Sequence, residues 1–171
     1  MEKFYPEIYQ KSIYTINYEK LKEKKIKCLL FDLDNTCIPY KSKELPQKLL
    51  KLFDKLSKMG FKVIVFSNSS KKRLSKLSLN VEYNASSKKP ISHNFKKIMN
   101  KYKFKANETC IIGDQLLTDI LGGNIVGIHT CLIEPLTDID MFITNISRKV
   151  ENIIFKKLSK QNKLIRGKYY D

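Results

Sequence analysis

Ile26-Lys27-Cys28-Leu29-Leu30-Phe31-Asp32-Leu33-Asp34-Asn35-Thr36 is a short, mostly apolar run that ends in two carboxylates two positions apart. Such a run reads as a buried strand whose C-terminal end carries chemistry. Working outward, Leu45, Leu49, Leu52, Phe53 and Leu56 recur at three- and four-residue steps, a helical stripe that Met59-Gly60 closes. A second strand at 61–66 ends in Ser67-Asn68. A basic helix near 70–78 leads to a weak strand around Val81-Glu82-Tyr83, and Pro90 stands at the start of a helix over 91–102. A fourth strand at 109–113 ends in Asp114. A helix over 116–122, ended by Gly122-Gly123-Asn124, precedes a fifth strand at 127–133. Strands and helices alternating through short connections predict an α/β fold: a three-layer parallel sheet with helices on both faces.

The 171 residues form one expected domain, with an aromatic N-terminal segment (1–25) and a basic C-terminal helix (145–165). In that helix Ile146, Val150, Ile153, Ile154 and Leu158 are read as one apolar face docked on the sheet, with Lys149, Lys156, Lys157 and Lys160 around it. Apolar runs stop after about four residues, against the roughly 18 that a membrane span needs. The N-terminus alternates charged and aromatic residues where a secretory signal would be continuously apolar, so the expected location is cytoplasmic. Cys28, Cys37, Cys110 and Cys131 show no CxxC pair and no zinc spacing, and are expected as free, buried thiols. His93 and His129, the two histidines, are read as structural.

Charge is lopsided: 33 Lys+Arg against 17 Asp+Glu, a net of +16. Thirty of the cations are lysine and three are arginine, alongside 20 Ile and 12 Asn, a bias that AT-rich coding alone would produce. Base reading favours the bidentate arginine fork, so this excess suits phosphates and anionic surfaces better than sequence-specific nucleic acid.

Two acids at one strand end repel each other and are tolerated where a hard cation such as Mg²⁺ holds them. Asp114, after Gly113, is placed to supply a further carboxylate to the same ion. Asp119, five residues on, can orient the ion's waters or a lysine, or serve as an ordinary cap. Ser67-Asn68 suits phosphate oxygens, and a lysine of Lys88-Lys89-Pro90 can neutralise charge on a transferring phosphoryl group. GxSxG, HExxH and P-loop patterns are missing.

These motifs, in this order, resemble the haloacid dehalogenase (HAD) superfamily of aspartate-nucleophile phosphatases, whose core is a HAD/Rossmann-like sheet. Phe4-Tyr5-Pro6, the Asp34-Asn35-Thr36 triplet, Ser67-Asn68 followed by Lys72-Arg73, Lys88-Lys89-Pro90 and the run from Gly113 to Asn124 extend the likeness to the YqeG-type HAD-IIIA family. Its relatives include a fungal mitochondrial phosphatidylglycerophosphate phosphatase. The resemblance implies Asp32 as nucleophile and Asp34 as acid and base. It also implies Lys89, directly before proline, as the third-motif lysine, and Asp32, Asp34 (through its backbone carbonyl) and Asp114 around Mg²⁺. Thr36, Ser67 and Asn68 would position phosphate oxygens, with Asp119 behind them. Cys37 and Ser69 depart from the family pattern without removing a reacting group.

Only 30 residues separate Thr36 from Ser67, and 19 lie between Asn68 and Lys88, which leaves no room for an inserted cap. The expected enzyme is a capless, Mg²⁺-dependent phosphomonoesterase open to large substrates. A lipid headgroup on an anionic, inner-membrane surface fits the charge, the basic C-terminal helix and the aromatic residues Phe4, Tyr5, Tyr9, Tyr14 and Tyr18. The competing expectation is a HAD-fold protein that docks on RNA or ribosomes with little catalysis.

Overall fold

A computed structural model describes the backbone of residues 1–137 and 142–171 and the side chains of 1–137 and 149–171. In chain order the elements are β1 (Ile8–Gln10), α1 (Tyr18–Glu23), β2 (Cys28–Phe31), α2 (Gln47–Lys58), β3 (Lys62–Phe66), α3 (Lys71–Leu74), β4 (Glu82–Asn84), α4 (Ser92–Tyr102), β5 (Thr109–Gly113), a π-helical turn (Leu116–Ile120), α5 (Leu121–Val126), β6 (His129–Ile133) and α6 (Phe142–Lys160). The strands form one parallel sheet in the order β1-β6-β5-β2-β3-β4. From β2 the chain builds outward through β3 and β4, then returns to the other side for β5 and β6. The crevice beyond the ends of β2 and β5 is therefore the topological switch point, where open α/β sheets bind ligands.

Strand periodicity divides the core. Leu29 and Phe31 of β2 point into the cluster that holds Leu49, Phe53 and Leu56 of α2, while Cys28 and Leu30 point into the cluster of Phe95, Ile98 and Met99 from α4. Both faces of β2 are thus covered, which is why its four residues carry no polar alternation. Phe31 and Phe53 meet at 5.2 Å between ring centroids, and Phe66 and Phe95 at 4.9 Å. All four cysteines are buried and unpaired with one another. Burial pushes the Cys28 thiol up to about 12 and raises the other three as well.

A sixth strand, β1, lies in the N-terminal segment that the sequence marks only by its aromatic residues. It pairs with β6 and is held on its other side by the exchange of two 2.9 Å hydrogen bonds between the Tyr9 and Tyr170 backbones. His129 contacts Glu7 at 2.6 Å and adds a tether there. The segment is not a free aromatic surface: Tyr9 and Tyr18 are buried, Phe4 and Tyr14 are partly covered, and Tyr5 alone of the five is exposed. The Tyr18 hydroxyl donates to the Ile13 carbonyl at 2.7 Å, and the Tyr9 hydroxyl donates to Glu134.

Three further expectations change. The basic helix is a single turn, after which the Lys76 and Leu77 amides bond three residues back, to Arg73 and Leu74, in tight turns that carry Leu77 into the core. Gly122-Gly123-Asn124 does not end a helix but lies inside α5, which stops at Gly127 with a left-handed φ of +74°. The face of α6 is rotated: Ile154 and Leu158 are buried, whereas Val150 and Ile153 are 43% and 56% exposed. Ile146 lies outside the described side chains.

The two glycines inside α5 are packing devices. A Cβ on Gly122 would lie 2.7 Å from the Phe95 ring, and one on Gly123 would lie 2.6 Å from Thr130 Cγ2 and 2.7 Å from Ile111 Cγ2. Gly122→Ala and Gly123→Ala are each expected to destabilise the protein by about 1–3 kcal/mol through overpacking. Urea titration of the two variants checks this, and unchanged midpoints would show that α5 can move away from the sheet.

Candidate active site

At the end of β2 the Asp32 amide donates to the Ile112 carbonyl of β5 at 2.9 Å, keeping this residue in sheet register just past the strand. The chain then folds back tightly. Cys37 and Ile38 amides both return to the Leu33 carbonyl, and Asn35 takes a left-handed φ of 61°, which asparagine tolerates because its amide bonds locally. The Asn35 side-chain oxygen accepts from the Tyr40 amide at 3.2 Å and from Thr137 Oγ1 at 2.7 Å. This turn gives Asp32 and Asp34, two positions apart, different neighbours.

Lys89 is the centre of the site. Its side chain is 1% exposed, and Nζ donates to Asp32 Oδ1 and to Asp119 Oδ1, each at 2.6 Å. Burial alone would lower this ammonium's pKa, but Asp119 and Asp32 outweigh burial and raise it above the ordinary lysine value. Lys88 is exposed, so of the two adjacent lysines Lys89 is the one brought to the carboxylates. Asn68 is what holds it there: its side-chain oxygen accepts from the Lys89 amide at 2.7 Å and from Ser87 Oγ at 3.0 Å, while its amide nitrogen donates to the Lys89 carbonyl at 3.2 Å. Asn68 is thereby engaged with the loop before α4. The buried Ser67 hydroxyl accepts from the Ser69 amide at 3.1 Å.

Asp32, Asp114 and Asp119 each bring a carboxylate oxygen within 4.8 Å of the others, and all three are buried. Thr36 Oγ1 donates to Asp114 Oδ1 at 3.0 Å. Gly113 makes the grouping possible, since a Cβ there would lie 2.2 Å from Asp119 Cγ. Three acids beside one lysine leave a formal excess of two negative charges in a buried place. A hard divalent cation fits this all-oxygen donor set.

The Asp34 side chain is turned elsewhere. Its Oδ2 accepts from Ser69 Oγ and from Arg73 Nη1, both at 2.5 Å, and Arg73 Nη1 is also 2.9 Å from Ser69 Oγ. Oδ1 is buried and, among the described residues, has no hydrogen-bond partner. The Asp34 carboxylate is therefore outside the three-acid group, where Asp119 stands instead. Ser69 and Arg73 are site residues that the sequence reading left without a role; the signal for Arg73 was its place in a basic single-turn helix just after Ser67-Asn68.

Burial pushes the Asp119 carboxyl up to about 6; Lys89 opposes the rise and Asp32 adds to it. In the metal-free protein the folded state thus holds this proton more tightly than the unfolded chain, whose carboxyl has the ordinary value of 3.8. The associated stability is present below about pH 4 and is lost as pH rises through about 6. Unfolding free energies measured in EDTA from pH 4 to 7.5 are expected to carry this component in the wild type and to lack it in Asp119→Asn. Parallel curves for the two proteins would contradict the assignment.

Residues 1–137 match the protein family described as mitochondrial PGP phosphatase. The probable phosphatase YqeG of Bacillus subtilis (strain 168) is 35% identical over 160 residues, covering 92% of this chain and 93% of its own. A HAD-family enzyme from Bacteroides thetaiotaomicron, solved as a magnesium complex, superposes with a TM-score of 0.52 at 14% identity, over 70% of this chain and 98% of its own. An uncharacterised protein from Listeria monocytogenes serotype 4b gives 0.50 at 18% identity, over 77% and 99%. At these identities the two structures speak to the fold.

Proposed function

Since the chain belongs to the mitochondrial PGP phosphatase family and is a HAD-superfamily phosphatase, we propose that it hydrolyses a phosphomonoester through an aspartyl-phosphate on Asp32, with Mg²⁺ as cofactor and phosphatidylglycerophosphate as substrate. The observation that carries this reading is the division of labour between two acids at one strand end. Asp32 is ion-paired with Lys89 beside two further carboxylates, while Asp34 is held through one oxygen by Ser69 and Arg73 and keeps the other without a partner. A protein that only docks on RNA or ribosomes has no use for that arrangement.

In the first step an Asp32 carboxylate oxygen attacks phosphorus in line, the bond from phosphorus to the ester oxygen breaks, and a proton carried on Asp34 Oδ1 passes to the departing alkoxide. In the second, water attacks the phosphorus of the acyl phosphate and gives its proton back to Asp34. Inorganic phosphate leaves and the Asp32 carboxylate is restored. Lys89 holds Asp32 in place and offers positive charge next to the transferring group. Thr36 fixes Asp114, Asn68 fixes Lys89, and the Ser67 hydroxyl lies at the mouth of β3 for a phosphate oxygen. Asp32, Asp114 and the Asp34 carbonyl would hold Mg²⁺, which when bound would neutralise charge on the transferring phosphoryl group. Asp119 accepts from Lys89 Nζ and from the Gln115 amide and so keeps Lys89 in position.

For the lipid substrate, support comes from α6. Its exposed face carries Val150 and Ile153 among the exposed Lys149, Lys156, Lys157 and Lys160, apolar groups framed by cations in the manner of a helix lying at an anionic interface. No helix among the described residues is long and apolar enough to cross a membrane. The route proposed is a surface approach through this face of α6.

Asp32→Asn is expected to reduce kcat on 4-nitrophenyl phosphate by about 10⁴-fold or more, and excess EDTA to abolish turnover. Asp34→Asn is expected to cost at least ten-fold more with an alkyl phosphate than with the nitrophenyl ester, because a stable phenolate needs its proton less. Steady-state kinetics on both esters decide this, and equal losses would remove Asp34 from the acid role.

Phosphate release from phosphatidylglycerophosphate in anionic vesicles is expected to exceed that from small sugar phosphates, with co-sedimentation that weakens as salt rises. Val150→Asp and Ile153→Asp should each reduce co-sedimentation. Faster turnover of a sugar phosphate or nucleotide, without vesicle binding at low salt, would rule out the lipid substrate and leave the phosphatase chemistry in place.

A further inference from the structure

Bordered by Arg73, the partner of Asp34, the structure has a cavity of about 600 Å³. Lys41, Lys43, Lys72, Arg73 and Lys76 line it, together with two serines and a leucine, and no carboxylate does. Among the described residues none of the four lysines is ion-paired with an acid. Lys41 rests over the Tyr40 ring at 5.4 Å. Arg73 is already paired with Asp34, so four unpaired lysines border one concavity, and that arrangement gains most from an anion placed among them.

Arg73 ties the cavity to the reacting centre. Its Nη1 is 2.5 Å from Asp34 Oδ2 while its Nη2 is 3.4 Å from the Ser42 carbonyl, so one guanidinium borders both places. An anion in the cavity is therefore a close neighbour of the group on which Asp34 acts. A single monoester cannot occupy both places, because its phosphorus must meet Asp32.

We propose that this cavity is a subsite for a second anionic group of the substrate, a phosphate or phosphodiester a few bonds from the ester that is cleaved. The inference rests on the phosphatase reading and adds to it the place where the second anionic group of a bis-anionic phosphoester binds. The recognised chemistry is common to two sources, a lipid headgroup that carries its own phosphodiester and a soluble bisphosphate. Lys41, Lys43, Lys72 and Lys76 act as mobile point charges, so their contribution is screened by salt, with a Debye length of about 8 Å at physiological ionic strength.

The test compares glycerol 1,3-bisphosphate with glycerol 3-phosphate, and adds phosphatidylglycerophosphate in uncharged detergent micelles, where no anionic surface contributes. Wild-type kcat/KM is expected to be at least ten-fold higher for the bisphosphate, mainly through KM, with the advantage shrinking as salt rises. The triple variant Lys43→Gln/Lys72→Gln/Lys76→Gln, and Lys72→Gln alone to a smaller degree, should erase that ratio. An equal loss on the micellar lipid assigns the cavity to the lipid's phosphodiester; a loss confined to the soluble ester assigns it to a soluble bisphosphate. Equal kcat/KM for the two soluble esters, or a preference that survives the triple substitution, overturns the subsite and leaves the phosphatase standing. No turnover of any of the three by the wild type overturns both.

Discussion

The site depends on one buried ammonium. Lys89 stands between Asp32 and Asp119 with almost no access to water, and removing it would leave two acids facing each other in a place where an unpaired charge costs several kcal/mol. Much of the local architecture reads as a means of keeping it there. Asn68 clamps both its amide and its carbonyl, and the Gly113 backbone makes room for Asp119 to reach it. These groups come from the ends of β2, β3 and β5 and from the loop before α4, so the central strands of the sheet meet at this lysine.

The two acids after β2 differ because their neighbours differ. Asp32 shares a lysine with other carboxylates, whereas Asp34 has a bidentate-capable arginine and a hydroxyl on one oxygen only. Environment assigns roles to otherwise identical side chains, the same logic by which paired carboxylates in hydrolases divide nucleophilic and proton-transfer work. Arg73 adds a connection that neither acid has by itself, since it reaches from the reaction centre into the basic cavity. On the proposed reading, chemistry and substrate selection share this residue, and among the described residues no inserted cap stands beside the crevice to provide selection separately.

The parallel sheet and the placing of acids at its strand ends were legible in the sequence because stretches such as Phe31-Asp32 and Gly113-Asp114 couple an apolar run to an acid, a signal that is local. The choice of Lys89 over Lys88 rested on resemblance alone, and the fold separates them by burial. What the sequence left unread is non-local or mixed in signal. β1 is three residues long and gains its place from β6, more than a hundred residues away. The glycines of α5 look like a helix stop until Phe95, Thr130 and Ile111 are seen against them. The apolar stripe of α6 held two faces at once, and only tertiary packing decides that Ile154 turns inward and Ile153 outward. Asp119 was readable as a carboxylate that could orient a lysine, with a plain cap as the alternative, whereas nothing in the spacing of Arg73 reveals that it meets Asp34.

The pairing of β1 bears on how the protein is made. Ile8, Tyr9 and Gln10 find their partners at Cys131, Leu132 and Ile133, and on the outer side at Tyr170. During synthesis these residues must wait for nearly the whole chain to leave the ribosome, while β2, β3 and β4 can already associate. Loop closure over such a separation comes late in folding. The edge of the sheet beyond β6 therefore stays open longest, and chaperones that shield extended apolar segments would find Ile8 and Tyr9 exposed during that interval.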